Sequence, residues 1–305
     1  VGAVLTMSNP NGSGTIFYTT DGSDPRVQGS PAYGAPINLA TSATYNSRVL
    51  EGGVWSALQS MDILTGVPAN ATNLVISEIY YNEPGSGETN EFIELTNISG
   101  VEINLSNLSF IEGLTYTFPV GIVLAPGAQL VLRPTDYTGS LDNGGETITL
   151  NDASGAIIES FTYGDSLPWP EPADGGGHSL VRISPASQLN PHDATSWRAS
   201  TAVGGNAGTT DSTTFPGGGG AALLSYAFGG SDLDLGVVLG TVVVPRNLSA
   251  DDVIVTVQTS IDLINWIDLT ELSDETLPAG GLSSQTYAVD PGGLKRFFRV
   301  GMQLR

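Results

Sequence analysis

The stretch that decides the fold is LVISEIYYNEPGSGETNEFIELTN, residues 74–97. Apolar and polar residues alternate through its first part and again from Phe92 to Leu95, which is the pattern of strands with two different faces. Between these runs, residues 84–87 read Pro-Gly-Ser-Gly, a sequence that ends a strand and favours a turn. The stretch predicts two strands joined by a polar loop. Strict alternation in the first strand places Val75, Ser77, Ile79 and Tyr81 on one face and Ile76, Glu78 and Tyr80 on the other.

The composition favours many short strands and an acidic surface. Of 305 residues, 39 are glycine and 18 are proline, and the net charge is −21. Nucleic acids and anionic membranes are therefore poor partners, whereas divalent cations are better ones. No apolar run is long enough to span a membrane, so we expect no membrane insertion.

Cysteine is absent, which excludes disulfides and thiolate metal sites. Animal secreted domains of this size usually carry disulfides, so we expect a bacterial source. The chain begins at Val1 without Met or a signal peptide, and we expect a processed product or a piece of a larger protein.

Residues 1–66 form the first predicted unit. Its segments GTIFYTTDGSDPR and YGAPINLATSATYNSRVLEGGVWS resemble the fibronectin-like module at the C-terminus of chitobiases and β-hexosaminidases. The residues that carry this resemblance are Tyr18, Thr20, Asp21, Gly22, Asp24, Pro25, Pro36, Ile37, Trp55 and Ser56. In that family the module is an accessory to a catalytic barrel, and this sequence contains no recognisable barrel.

Residues 74–208 form the second predicted unit, after a linker at 67–73. The opening stretch resembles the first strands of a lamin tail domain, through Ile76, Glu78, Ile79, Glu91, Phe92, Ile93, Glu94, Leu95 and Asn97. Turn signals at Asn143-Gly144-Gly145 and Asp152-Ala153-Ser154-Gly155 delimit a later hairpin. The resemblance implies an immunoglobulin-like β-sandwich.

Residues 220–305 form the third predicted unit, after a Gly-rich linker at 209–219 whose composition predicts flexibility. The run AALLSYAFG has helical spacing, and strand patterns follow it. The segments LLSYAFGG, VQTSIDLINWIDL and KRFFRVGMQL resemble a C-terminal module of secreted bacterial proteins. The predicted fold class is therefore all-β, with three consecutive β-sandwich domains of the immunoglobulin or fibronectin type.

Four acidic residues are candidate calcium ligands: Asp21, Asp24, Glu78 and Glu94. Oxygen ligands suit Ca²⁺. Asp21 and Asp24 also fit an Asx-type turn, which is the interpretation we favour for them. Glu78 and Glu94 become neighbours if the first two long strands pair. The interpretation we favour for them is solvated carboxylates or partners for the few arginines, followed by a calcium site and, least of all, a glycosidase pair.

No residue pattern indicates catalysis. The two histidines are His178 and His192, and His178 precedes Ser179, so the two side chains point to opposite faces of a strand and cannot form a dyad. Short acidic clusters at Asp232, Asp234, Asp251 and Asp252 fit surface turns. Trp169, between two prolines, is a candidate platform for a sugar ring, although core packing is the interpretation we favour.

These patterns favour a non-catalytic protein, secreted or displayed on a bacterial cell surface, with a structural or adhesive function. It is expected to bind copies of itself or other surface proteins through exposed sheet edges. The alternative is a carbohydrate- or calcium-binding accessory module of a larger secreted enzyme. No cofactor is expected apart from Ca²⁺, and glycans are the candidate small ligands.

Overall fold

A computed structural model of the chain describes residues 4–39, 42–85, 89–230, 233, 235–238, 240–275, 282–290 and 296–305. These residues form several β-sheets and one α-helix, so the predicted all-β fold with sandwich-like units is confirmed. The predicted acidic cluster at Asp232 and Asp234 lies outside the described residues.

The first unit has a four-stranded sheet and a two-stranded sheet. Its strands are β1 (Val4–Leu5), β2 (Thr15–Thr19), β3 (Ile37–Asn38), β4 (Ala43–Glu51), β5 (Val54–Trp55) and β6 (Gln59–Ile63). Strand β4 is central, because it pairs with β2, β5 and β6. Tyr45 is the one hydrophobic side chain fully buried among the described residues of this unit. The unit therefore depends on turns and on its attachment to the next unit more than on a large core.

The second unit is a sandwich with a large core. Its strands are β7 (Val67–Pro68), β8 (Leu74–Tyr80), β9 (Phe92–Asn97), β10 (Ile103–Asn104), β11 (Ser109–Glu112), β12 (Tyr116–Thr117), β13 (Val123–Leu124), β14 (Gln129–Leu132), β15 (Thr147–Asn151), β16 (Ile157–Thr162), β17 (Leu180–Arg182) and β18 (Trp197–Ala199). One sheet has the order β14-β9-β8-β17-β18 and the facing sheet has the order β12-β11-β15-β16. The side chains between them form one continuous cluster of buried residues.

A β-bulge in the opening strand changes the predicted alternation. Ile76 pairs with Leu95, but the next pair is Glu78 with Glu94, so Ser77 is an extra residue in β8. The core therefore receives Leu74, Ile76, Ile79 and Tyr81. The strict alternation predicted above is wrong for this strand, because the bulge moves every later side chain to the opposite face.

A backbone donor next to the bulge is satisfied by the opposite sheet. The Ile76 N–H donates to Glu159 Oε2 at 2.7 Å, and Arg182 forms a buried ion pair with the same carboxylate. Glu159 lies on β16 and Arg182 on β17, so the pair links the two layers of the sandwich. A buried donor without an acceptor is costly, which explains why a carboxylate is needed inside this core.

The first and second units share a hydrogen-bonded joint. Strand β7, within the predicted linker, pairs in parallel with β10 of the second unit. The Asn104 Nδ2 donates to the Thr65 carbonyl at 2.6 Å and to Ser42 Oγ at 3.1 Å. Residues 67–68 thus belong to a sheet of the second unit, and the chain has no free segment between the two units at this point.

The third unit packs its helix against two sheets. The elements are α1 (Gly220–Phe228), β19 (Gly236–Val238), β20 (Thr241–Asn247), β21 (Val253–Ser260), β22 (Ile267–Asp268), β23 (Glu271–Glu275), β24 (Leu282–Ala288) and β25 (Phe297–Leu304). The sheets have the orders β19-β20-β24-β23 and β22-β21-β25. Ala227 and Phe228 insert the helix into the core of this unit. The predicted helix and strand-rich remainder are confirmed.

The segment 209–219 is attached to the third unit by its backbone. The Thr213 N–H donates to the Ser249 carbonyl at 2.8 Å. The Phe215 N–H donates to Asp252 Oδ2 at 2.7 Å. Composition predicted a flexible linker here, but backbone hydrogen bonds to a folded unit hold the segment in place.

Candidate functional site

The most unusual polar feature is a row of side chains on the outer face of the five-stranded sheet. The register places Glu94, Glu78, Val181 and Arg198 opposite one another across β9, β8, β17 and β18. We call Glu94, Glu78 and Arg198 the polar row. Their exposed fractions are 1%, 2% and 4%, so all three are buried although they lie outside the sandwich core. The prediction that Glu78 and Glu94 are solvated carboxylates is therefore wrong, because the chain after β18 covers them.

Residues 201–211, which we call the cover segment, exclude water from the row. The Asn206 N–H donates to Glu78 Oε1 at 3.1 Å, and the Gly208 N–H donates to Glu94 Oε2 at 2.8 Å. Further along, Asp211 Oδ2 accepts from Arg198 at 2.6 Å. Each member of the row thus has a partner in the cover segment, which accounts for the path of this irregular segment over the sheet.

Side chains of the sheet supply further hydrogen-bond donors to the two glutamates. The Ser179 hydroxyl donates to Glu78 Oε1 at 2.5 Å, and the Ser77 hydroxyl donates to Glu94 Oε1 at 2.7 Å. Ser77 is the bulge residue, so the bulge both aligns the two glutamates and supplies a donor to one of them. This arrangement explains the pattern Ile-Ser-Glu-Ile in the opening strand.

Burial raises the pKa of both carboxyl groups. The pKa of Glu78 is raised from 4.5 to about 7 by loss of hydration, against which the Ser179 and Asn206 hydrogen bonds act. The pKa of Glu94 is raised for the same reason and is lowered in part by Ser77 and Gly208. Like charges on adjacent carboxylates add to the shift of Glu78. The pair therefore holds a proton more readily than exposed glutamates do.

A cavity of about 300 Å³ lies beside the row, between the sheet and the cover segment. Its lining includes Ser77, Glu78, Glu94, Thr96, Gln129 and Asp211. Both glutamates line this cavity, but each carboxylate already accepts two hydrogen bonds from the sheet and the cover segment. The geometry therefore favours structural carboxylates over a free acid and base for glycoside chemistry.

Gly205 of the cover segment lies against the polar row, and a substitution there tests this close approach. A Cβ at Gly205 would lie 2.6 Å from Glu78 Oε1 and 2.8 Å from Phe92 Cζ, whereas a Cβ at Gly204 would meet nothing within 4 Å. Both residues have positive φ, so alanine is strained at either position. We expect Gly205→Ala to lower the free energy of unfolding by at least about 2 kcal/mol more than Gly204→Ala does. Urea unfolding of the two variants measures this difference, and equal losses would contradict the close approach.

The candidate calcium ligands of the first unit have protein partners. Asp21 Oδ1 accepts from the Ser23 N–H at 3.0 Å and the Ser23 hydroxyl at 2.6 Å, which is an Asx-type turn. Asp24 accepts from Arg48 Nε at 2.9 Å and from Arg26 at 2.7 Å, and these hydrogen bonds hold the pKa of its carboxyl well below the usual range.

The four candidate ligands fall into two separate places. Asp21 and Asp24 lie in a loop of the first unit, and Glu78 and Glu94 face each other in the second. Among the described residues, no group of three or more His, Cys, Asp or Glu side chains is placed to hold a metal ion. Calcium binding at either place stays a prediction.

The histidines occupy the positions expected for structural residues. His178 is buried just before β17, and its Nδ1 lies 2.8 Å from the Ser200 carbonyl oxygen. Ser179, its neighbour, points to Glu78 on the other side of the strand. His192 lies in an exposed turn next to Pro191.

Trp169 is partly buried against the core of the second unit, 6.4 Å from Trp197 between ring centroids. This contact agrees with core packing, and the ring also lines a cleft between the second and third units.

Arg198, Asp211 and Asp251 form a buried ion cluster that sequence reasoning missed. Arg198 donates to Asp251 through Nε at 2.7 Å and through a second nitrogen at 2.9 Å. Asp251 belongs to the third unit and is 6% exposed, so the prediction that it lies in a surface turn is wrong. The Trp-Arg-Ala order in β18 could have indicated it, because it places an arginine between two core residues in a chain that has only ten Lys and Arg residues.

The fold defines a class of protein built from immunoglobulin-like, accessory-type β domains. Residues 68–165 match the family model described as Lamin Tail Domain, and residues 2–58 match the one described as Chitobiase/beta-hexosaminidase C-terminal domain. Both predicted resemblances are confirmed, whereas the resemblance of residues 220–305 to a secreted bacterial module stays a prediction. No curated protein and no solved structure matches the chain.

The lamin tail match ends before the sheet is complete. Strands β17 and β18 and the cover segment follow residue 165, yet they supply Arg198 and the donors to both glutamates. Both matched domains fit a non-catalytic accessory module. In the part of the chain that the structure describes, no helix has the length and apolar character needed to cross a membrane.

Proposed function

We propose that the chain is a non-catalytic structural module of an extracellular bacterial protein, and that it holds three β units in a fixed order and orientation. The observation that carries this proposal is the ion cluster of Arg198, Asp211 and Asp251. Arg198 comes from the second unit, Asp251 from the third and Asp211 from the segment between them. A module that serves only as a flexible tether does not need a buried ion cluster at its joint.

Further contacts reinforce this joint. The Ser184 hydroxyl of the second unit donates to the Asp251 carbonyl at 2.9 Å, and Arg305 Nε donates to the same carbonyl at 2.7 Å. Arg305 and Asp251 both belong to the third unit, so that bond fixes Asp251 within its own unit. The bond that crosses the joint comes from Ser184, which is 67 residues before Asp251. Relative motion of the two units would break several buried bonds at once.

Secretion is supported by the match to a domain of chitobiases and hexosaminidases, and a bacterial source by the absence of cysteine. The expected partners are neighbouring copies or other surface proteins. Strand β25 has eight residues and lies at the edge of its sheet in the described structure, where a further strand could add. Strand β6 of the first unit is an edge strand with Met61 exposed.

Analytical ultracentrifugation over a wide concentration range, with and without Ca²⁺, tests this assembly. We expect reversible association that the substitution Val300→Pro in β25 weakens, because proline removes a backbone donor and disfavours strand geometry. Sedimentation as a monomer at every concentration and in both conditions would contradict self-association.

A second candidate function is an accessory module that binds carbohydrate or calcium. The geometry that favours it is the exposed face of Trp169 at the cleft between units and the acid pair Glu78 and Glu94 beside a cavity.

A further inference from the structure

A cleft of about 470 Å³ separates the second unit from the third. The second unit contributes Trp169 and the loop around Asn190 and Asp193, and the third contributes Arg246 and Gln285. Ligand sites are commonly concave, lie where domains meet, and combine apolar walls with a few polar groups. This cleft has these properties and does not include either glutamate of the polar row.

The position of Trp169 is fixed by residues of the second unit that pack against its ring. Its ring packs against Gly164, where a Cβ would lie 2.9 Å from Trp169 Cδ1, and it approaches Trp197 of the core. Prolines on both sides restrict the backbone of residue 169. An indole held in this way presents a flat apolar surface to the cleft without losing side-chain freedom when a ligand binds.

The polar groups around the indole are arranged by turns and strand register. Asp193 Oδ1 accepts from the Thr195 N–H at 3.0 Å, which sets the shape of the loop on the same side as Trp169. On the opposite wall, Gln285 pairs with Val244 on the core-facing side of its sheet, and Arg246 lies two residues further along β20 on the same side. Gln285 Oε1 already accepts from the Tyr287 hydroxyl at 3.1 Å, so Gln285 and Arg246 offer donors to a ligand in the cleft and Asp193 offers an acceptor.

The joint between the units makes the cleft permanent. Arg198 and Asp251, which are the centre of the ion cluster, also line the cleft. The two walls are therefore held at a set separation, and a ligand does not have to bring them together. Preorganisation of this kind favours affinity, because less ordering is needed on binding.

We propose that this cleft is a binding site for a neutral oligosaccharide, with Trp169 as the stacking platform. A pyranose ring has an apolar face that suits an indole and hydroxyl groups that suit Arg246, Gln285, Asn190 and Asp193. A neutral sugar is favoured over an anionic one, because a net charge of −21 repels polyanions. This site rests on the second candidate function above, for which it names the ligand class, and it does not depend on self-association.

Titration calorimetry of the full chain with a hexamer of β-linked glucose and a hexamer of β-linked N-acetylglucosamine tests the proposal. We expect saturable binding of at least one of them, accompanied by a shift of the Trp169 indole N–H signal in NMR spectra. Trp169→Ala is expected to weaken binding by about tenfold or more, as for aromatic anchors in other sites.

Two further variants separate binding from folding. Trp266→Ala removes a tryptophan whose ring contacts Arg299 and does not line the cleft, and it should bind as the unaltered chain does. Gln285→Glu keeps the oxygen that accepts from the Tyr287 hydroxyl and removes the amide donor on the opposite wall, away from Trp169, so it should also weaken binding. The proposal is overturned if neither neutral hexamer binds, if Trp169→Ala binds with unchanged affinity, or if a hexamer of galacturonate binds more tightly than both neutral hexamers.

Discussion

Replacing Arg198 by alanine is expected to lower the free energy of unfolding by about 3–5 kcal/mol, because it leaves two carboxylates buried without their cation. Asp211 and Asp251 are 4% and 5% exposed as side chains, so water compensates little for the loss of the guanidinium. Asp211→Asn should lower the free energy of unfolding by less, because the two hydrogen bonds between Arg198 and Asp251 remain. Urea unfolding followed by circular dichroism and tryptophan emission measures both losses.

Arg26 provides a matched control for Arg198. It also pairs with an aspartate, at 2.7 Å, but its side chain is 57% exposed. Exposed pairs contribute little, so Arg26→Ala should change the free energy of unfolding by less than about 1 kcal/mol. If the Arg198 and Arg26 variants lose similar amounts, the buried cluster does not stabilise the joint.

The second large effect concerns Glu78 and pH. Its pKa is raised from 4.5 to about 7 in the folded chain, mainly because burial removes water from the carboxylate. The folded state thus binds the Glu78 proton more tightly than the unfolded state. The resulting stabilisation is complete below the unfolded pKa and is lost as the pH rises through about 7. We expect the free energy of unfolding to fall between pH 5 and pH 8 by up to roughly 3 kcal/mol from this residue.

Glu78→Gln should remove this contribution. At pH 8 the free energy of unfolding of the variant should exceed that of the unaltered protein by roughly 2–3 kcal/mol. The amide keeps an oxygen that accepts from Asn206 and Ser179 and carries no charge. Glu102 is exposed, so Glu102→Gln should keep the pH dependence of the unaltered chain. Urea unfolding of the three proteins across this pH range gives the comparison. A Glu78→Gln profile parallel to that of the unaltered chain would contradict the raised pKa.

Much of the fold was predictable from local patterns. The Ile-Ser-Glu-Ile and Glu-Phe-Ile-Glu-Leu runs identify the two central strands, and strand pairing then brings Glu78 and Glu94 together. The turn at Asp21 was predictable for a related reason, because an Asx-type turn is formed by residues close in sequence. In each case the decisive interactions are local or follow from one strand pairing.

The bulge at Ser77 and the ion cluster were not predictable in this way. A bulge depends on how the partner strand aligns, and the Ile76 N–H beside it donates to Glu159, 83 residues away. Asp251 looked like a surface residue because its partner Arg198 is 53 residues earlier in the chain. The alternation pattern and the composition do not show which charged residue, distant in sequence, pairs with a given aspartate.

The distances between the units test the central claim most directly. The chain has no cysteine, so pairs of cysteines can be introduced for spin labels without removing any other. Exposed positions are Met61 in the first unit, Ile157 and Val101 in the second, and Ile267 in the third. Double electron–electron resonance then gives the Met61–Ile157 and Ile157–Ile267 distance distributions, with Val101–Ile157 as a reference pair inside one unit.

We expect both inter-unit distributions to be single peaks about as narrow as the reference, and the Ile157–Ile267 peak to broaden when Arg198 is replaced by alanine. Broad inter-unit distributions in the chain with Arg198 intact would contradict a module that holds its units in fixed positions.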